Sequence, residues 1–175
     1  RDLKEKGLAH IPEDRQRMGL VTEFKAHENL IFGYHHQEPY SKSSILQEKE
    51  IMSFSKKVME EYDVRPRSPN LMTSNFSGGN QQKIILSREL NENPKVLLIG
   101  QPTRGVDIGA IEFIHQRLID MRDKGAAILL VSVELEEVLS LSDRIVVMFD
   151  GNIVGERINK DVTDRELGLL MAGVA

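Results

Sequence analysis

The 175-residue sequence has no cysteine, which excludes thiolate metal sites, disulfide frameworks and thiol nucleophiles. It also lacks a long hydrophobic run. The longest, Ala126-Ala127-Ile128-Leu129-Leu130-Val131, has the length of a strand, well short of the roughly 20 residues that cross a bilayer as a helix. Nor is there an excess of positive charge: Lys and Arg number 23 against 27 Asp and Glu, for a net charge of -4 and a pI near 5.8. The basic footprint of a dedicated nucleic-acid binder is therefore missing, and no nucleic-acid partner is expected. The opening Arg1-Asp2-Leu3-Lys4-Glu5-Lys6 resembles neither a secretion signal nor a transit sequence. We expect a piece of a longer chain. What is present, 40% hydrophobic and 29% charged residues, suits a folded domain whose core needs neither disulfide nor structural metal.

Residues 7–11 read as a strand that stops at Pro12 before a polar loop, Glu13-Asp14-Arg15-Gln16-Arg17. A helix is expected from Glu28-Asn29-Leu30-Ile31-Phe32, and a longer one over residues 45–62, where Ile51, Phe54, Val58 and Tyr62 recur every three or four positions. Two prolines make residues 64–70 an irregular connection. Beyond Ser77-Gly78-Gly79 a helix over residues 80–90 is halted by Asn93-Pro94, and Val96-Leu97-Leu98-Ile99 reads as a buried central strand. A helix over residues 109–122, Gly125 and an apolar strand over residues 127–131 repeat the order, the βαβ rhythm of a parallel sheet. A short helix over residues 134–141, a hairpin turning at Asp150-Gly151-Asn152 and a closing helix over residues 164–171 complete the expectation.

The strongest local signal for chemistry is Phe76-Ser77-Gly78-Gly79-Asn80-Gln81-Gln82-Lys83. Paired glycines admit a ligand close to the backbone, a helix start offers free N–H groups and positive potential, and Ser77 adds a hydroxyl, so a phosphate fits. A serine cap with a glycine turn is the competing meaning of the same residues.

These eight residues resemble the signature motif of ABC-type ATPases. Pro102-Thr103-Arg104-Gly105-Val106-Asp107 after the strand is similar to that family's Walker B strand and D-loop. Leu130-Val131-Ser132-Val133-Glu134 is similar to its switch region, and Ile11-Pro12-Glu13-Asp14-Arg15 to the Q-loop of the second half of tandem sugar and nucleoside importers. Gln101-Pro102-Thr103-Arg104-Gly105 and Glu61-Tyr62-Asp63-Val64-Arg65 resemble the basic-membrane-protein type of these.

The resemblance implies an α/β fold: the C-terminal part of a P-loop NTPase domain, with a mainly parallel core sheet and an α-helical subdomain. Residues 1–22 would be the Q-loop region, about 23–76 the helical subdomain and about 77–175 the core. It further implies an ATP-binding subunit on the cytoplasmic face of a membrane. Its partners would be the first nucleotide-binding half of the same chain, permease subunits and, indirectly, an extracellular binding protein. ATP and Mg²⁺ would be the full-length protein's cofactors, neither held tightly by this segment. A nucleotide-gated regulatory or ribosome-binding factor is the alternative class.

Several of the family's positions are altered. No Gly-x-x-x-x-Gly-Lys-Ser/Thr occurs, so the phosphate-holding loop is expected before Arg1. Where the family's pattern has Asp-Glu, the metal ligand and the water-polarising base, the sequence has Gly100-Gln101; Val133 replaces the switch histidine and Glu13 the Q-loop glutamine. The resemblance thus implies no catalytic residue in this segment, and a degenerate site at Glu13, Gly100, Gln101 and Val133. Because ABC halves associate head to tail, Ser77, Gly78, Gly79, Asn80, Gln81 and Asp107 would complete the other half's ATP site in trans. Among weaker signals, adjacent His35 and His36 diverge too much for a metal site, and no metal ligand set is expected. Asn75-Phe76-Ser77 fits a glycosylation sequon but is discounted. The charged helix over residues 47–61 is either a solvated face or, by the resemblance, a permease contact.

Overall fold

The computed structural model describes residues 2–160 and 162–174. The chain divides into two compact units, Arg1–Leu129 and Leu130–Ala175. The first begins with a short helix α1 (Asp2–Glu5) and strand β1 (Leu8–Ile11), whose period-two pattern buries Ala9 and Ile11. β1 pairs in parallel with β4 (Val96–Gly100), Ala9 opposite Leu97 and Ile11 opposite Ile99, so the buried residues of both strands share a face. β5 (Ala127–Val131) completes the order β1-β4-β5, and the Ala127 N–H donates to the Lys95 carbonyl at 2.9 Å. β4 is central, as expected. Continuous apolar character misleads for β5, an edge strand whose residues alternate between exposed and half-buried, Leu129 being 61% exposed.

Helix α4 (Gly78–Leu90) starts two residues earlier than the sequence pattern suggests, because Ser77 caps it. Ile84, Ile85 and Leu86 are wholly buried, and so on the remaining sides are Gln81, Gln82, Ser87, Arg88 and Glu89. Across from it, α5 (Ile108–Asp123) buries Ala110, Ile114, Leu118 and Met121, a helical stripe that ends before Gly125 in the left-handed conformation, φ +94°.

The segment between β1 and α4 departs from its expected outline in three places. The polar loop is partly a helical turn, Arg15–Gly19, because the Asp14 carboxylate accepts the N–H groups of Gln16 and Arg17 at 3.2 and 3.0 Å. Helix α2 (Ala26–Leu30) begins two residues earlier than predicted and ends at Leu30, with Glu28 accepting the Lys25 N–H at 2.7 Å. Third, the long helix does not begin at residue 45. Ser43 and Ser44, at φ +50° and +63°, reverse the chain so that β2 (Ser41–Lys42) pairs with β3 (Ile45–Leu46), and α3 (Glu48–Glu61) follows. Its stripe is as expected: Ile51 and Phe54 pack on Ile31, Tyr34 and Tyr40, and the Tyr40 and Phe54 rings meet edge to face at 5.0 Å.

The second unit contains α6 (Leu135–Leu141), the hairpin β6 (Arg144–Phe149) and β7 (Asn152–Ile158), and α7 (Asp164–Met171). Asp150 and Gly151, at φ +46° and +75°, make the two-residue turn that the sequence signals. Ile145 and Val147 of one hairpin face pack on Leu167 and Leu170. Among the described residues, no helix is long and apolar enough to cross a membrane.

Burial raises the Tyr40 phenol to about 12, with Glu92 adding to the shift. The folded value lies above the ordinary value of about 10, so this stabilisation is complete below that pH and is lost as the pH rises towards 12. Denaturant unfolding at pH 9, 10, 11 and 12 should show stability falling across this window, with a shallower fall in Tyr40→Phe.

Candidate functional site

The start of α4 brings together three stretches that are far apart in sequence. Ser77 precedes the helix in extended backbone, and its Oγ accepts from the Asn80 N–H at 3.4 Å and from Asn80 Nδ2 at 2.9 Å. Both acceptor positions of the hydroxyl are thereby used, and the proton that remains to be donated belongs to an exposed residue. The capping reading and the phosphate reading of Ser-Gly-Gly are therefore compatible. Asn80 also ties in the irregular connection, its Oδ1 accepting the Arg65 N–H at 2.6 Å. There the Arg65 side chain, by its hydrogen bond and with the nearby charges of Lys83 and Arg67, holds the Asp63 carboxyl below the ordinary carboxylate range.

Both glycines are closely packed, Gly78 the more tightly. A Cβ on Gly78 would run into the Arg15 guanidinium and lie 2.9 Å from the Gly105 carbonyl; on Gly79 it would lie 3.0 Å from Asp107 Oδ2 and 3.2 Å from Ala110 Cβ. Asp107 in turn caps α5, Oδ1 accepting the Ala110 N–H at 2.9 Å. Gln81 is buried: its Nε2 donates to the Thr73 carbonyl at 3.1 Å and its Oε1 accepts from Gln16 at 3.4 Å. Of the six residues singled out in the sequence, Ser77 and Asp107 are exposed, Gly78 and Asn80 half-buried, and Gly79 and Gln81 buried beneath them.

Arg15 and Arg104 stand inside the motifs over residues 11–15 and 101–105, but nothing in the sequence pattern marks either as a site residue. Arg15 donates from Nη1 to the Arg104 carbonyl at 2.6 Å and from Nη2 to the Gly105 carbonyl at 3.2 Å. Burial pushes its guanidinium below the ordinary arginine value, against the raising effect of Asp14.

Around the end of β4 the chemistry differs. The Glu13 carboxylate is ion-paired with the Arg104 guanidinium, so its charge is already compensated. A Cβ on Gly100 would lie 3.3 Å from the Glu13 backbone nitrogen, and Gln101 adopts φ +46°. One compensated carboxylate beside a glycine does not suit a hard divalent cation, which takes several anionic or neutral oxygens. Val133 lies in the second unit and is exposed. Among the described residues, no group of three or more His, Asp or Glu is gathered for a metal, and the His35 and His36 rings stand edge to face with centroids 5.8 Å apart.

Comparison with known proteins places this geometry in context. No protein-family model matches the chain. It is 46% identical over 173 residues to the guanosine import ATP-binding protein NupO of Bacillus subtilis and 47% identical over 173 residues to the nucleoside import ATP-binding protein NupA of Lactococcus lactis; each match covers 99% of this chain and 34% of the relative. The ribose import ATP-binding protein RbsA of Oceanobacillus iheyensis is 34% identical over 166 residues, 95% of this chain and 33% of that one. The chain thus spans about a third of the length of these curated relatives. A nucleotide-free ATP-binding cassette of an ABC transporter superposes with TM-score 0.71 at 24% identity, over 98% of this chain and 67% of that one. A dimeric cassette in a post-hydrolysis state with ADP and phosphate gives 0.70 at 23%, over 92% and 68%. The α/β fold is that of an ABC cassette over about two thirds of its length.

Gly79→Ala should cost about 1–3 kcal/mol in denaturant unfolding, because α5 and its cap would have to move. Gly168→Ala on α7, where a Cβ meets nothing within 4 Å, should instead stabilise by about 0.5–1 kcal/mol.

Proposed function

We propose that this chain is part of an ABC transporter ATP-binding protein of the nucleoside and sugar importer type, as its similarity to such proteins supports, and that it supplies the signature side of one ATP site while its own site is hydrolytically inert. The observation that carries this reading is the Ser77 hydroxyl, doubly occupied as an acceptor and left with a proton to give at the exposed start of α4. A γ-phosphate bound on the first nucleotide-binding half of the full-length protein would receive that hydrogen bond, together with the N–H groups and positive potential of the helix start. Gly78 and Gly79 let the loop over residues 101–107 approach, so that Asp107 reaches the same seam. Asn80 and Gln81 hold the turn from its side and from beneath.

The inert half of the proposal rests on chemistry. Gly100 offers Mg²⁺ no ligand, Gln101 cannot take a proton as a carboxylate does, and Glu13 is engaged with Arg104. ATP would supply the transferable phosphoryl group, and Mg²⁺ its charge neutralisation, both held by residues of the other half. The whole protein would then work on the cytoplasmic face of a membrane with permease subunits, receiving a nucleoside or simple sugar from an extracellular binding protein. The import names of the relatives support transport over a regulatory or ribosome-associated role.

Ser77→Asp tests the reading, because aspartate caps a helix about as well as serine yet sets a carboxylate against a phosphate. In the full-length protein it should leave thermal stability within about 1 kcal/mol and lower ATP turnover by roughly a hundredfold or more. Gly100→Asp with Gln101→Glu should not restore turnover in that background. Wild-type turnover in Ser77→Asp, assembled with its membrane subunits, would defeat the assignment.

A further inference from the structure

Arg15 touches both elements of the proposed seam. Its two carbonyl bonds hold Arg104 and Gly105 in the middle of an otherwise irregular loop, and its guanidinium lies against Gly78, where Cζ would be 3.2 Å from an added Cβ. The same loop is gripped a second time, since Glu13, two residues before Arg15, pairs with the Arg104 side chain. Two residues beyond Gly105 the loop ends at Asp107, which rests on Gly79 and starts α5. The grip has a cost: Arg15 Nε is buried without a hydrogen-bond partner, and an unsatisfied buried donor is normally unfavourable. Arginine suits this place because its rigid fork can serve two adjacent carbonyls at once, which an ammonium does with less orientation.

We propose that Arg15 is a positioning residue for the ATP site completed by this segment: it locks the loop over residues 101–107 onto the first turn of α4, so that Ser77 and Asp107 are presented at one fixed spacing. The inference rests on the reading that Ser77 and Asp107 serve a site in trans. It adds that the Pro12-Glu13-Asp14-Arg15 segment controls that spacing, so a displacement of this segment reaches the partner-facing edge directly through the guanidinium. Arg15 itself touches no nucleotide in this account.

The test uses the full-length ATP-binding protein with its membrane subunits and compares Arg15→Gln, Arg15→Lys, Ser77→Asp and the Arg15→Gln, Ser77→Asp double variant. Steady-state ATP turnover and melting temperature are measured for each. Arg15→Gln should lower kcat by roughly tenfold, as small misplacements of assembled groups do, with the melting temperature nearly unchanged. Arg15→Lys, which keeps one carbonyl bond and the charge, should recover part of the loss. In the Ser77→Asp background Arg15→Gln should have no further effect, since both act on one site. Wild-type kcat in Arg15→Gln, a loss fully additive with Ser77→Asp, or a loss that follows a fall in melting temperature in both Arg15 variants would overturn the proposal. Wild-type turnover in Ser77→Asp alone would instead remove the in-trans site on which it rests.

Discussion

The burial of α4 is the constraint on which the first unit depends. A helix with Ile84, Ile85 and Leu86 at zero exposure and with Arg88 and Glu89 also buried has no solvent face along its second half. Its charges are accommodated by pairing. Arg88 Nε donates to Glu89 at 2.9 Å, Lys4 Nζ donates to both Glu89 oxygens at 2.8 Å, and the Tyr34 hydroxyl stands at 3.5 Å. Removing the Glu89 carboxylate would leave the buried Arg88 guanidinium without a counter-charge, which costs about 3–5 kcal/mol. The rotation and register of α4 are therefore held by apolar packing and by ion pairing together, and its N-terminal turn emerges at a fixed place.

The residues at that turn serve packing and chemistry with the same atoms. Gly79 is small because Asp107 and Ala110 approach it, and that approach is what brings the Asp107 carboxylate beside Ser77's helix. Ser77 caps with its oxygen, and its hydroxyl keeps a proton that can be donated. On the other side of the loop, Gly100 is pressed by the Glu13 backbone and the Glu13 carboxylate is committed to Arg104. The loop that supports the start of α4 is thus held in part by Glu13, through its ion pair with Arg104.

Much of this was legible in the sequence because it depends on local patterns: the short apolar strand before Pro12, the cap at Ser77, and the Asp150-Gly151 turn. Other features depend on partners remote in sequence. The β2–β3 hairpin is set by two consecutive left-handed serines, which no composition rule demands, and the exposure of β5 reflects its place at a sheet edge. Arg15 could be read only as one of several charges in a polar loop until Arg104 and Gly105, about 90 residues away, were brought against it. The role of Asn80 likewise appears only with Arg65 beside it.

The central claim is that two nucleotide-binding halves make one productive ATP site, completed by the turn at Ser77. Vanadate trapping of labelled nucleotide in the full-length protein, assembled with its membrane subunits, counts productive sites directly. The account predicts one trapped ADP per full-length chain, lost when Ser77 is replaced by aspartate. Two trapped ADP per chain, or one that persists in Ser77→Asp, would contradict it.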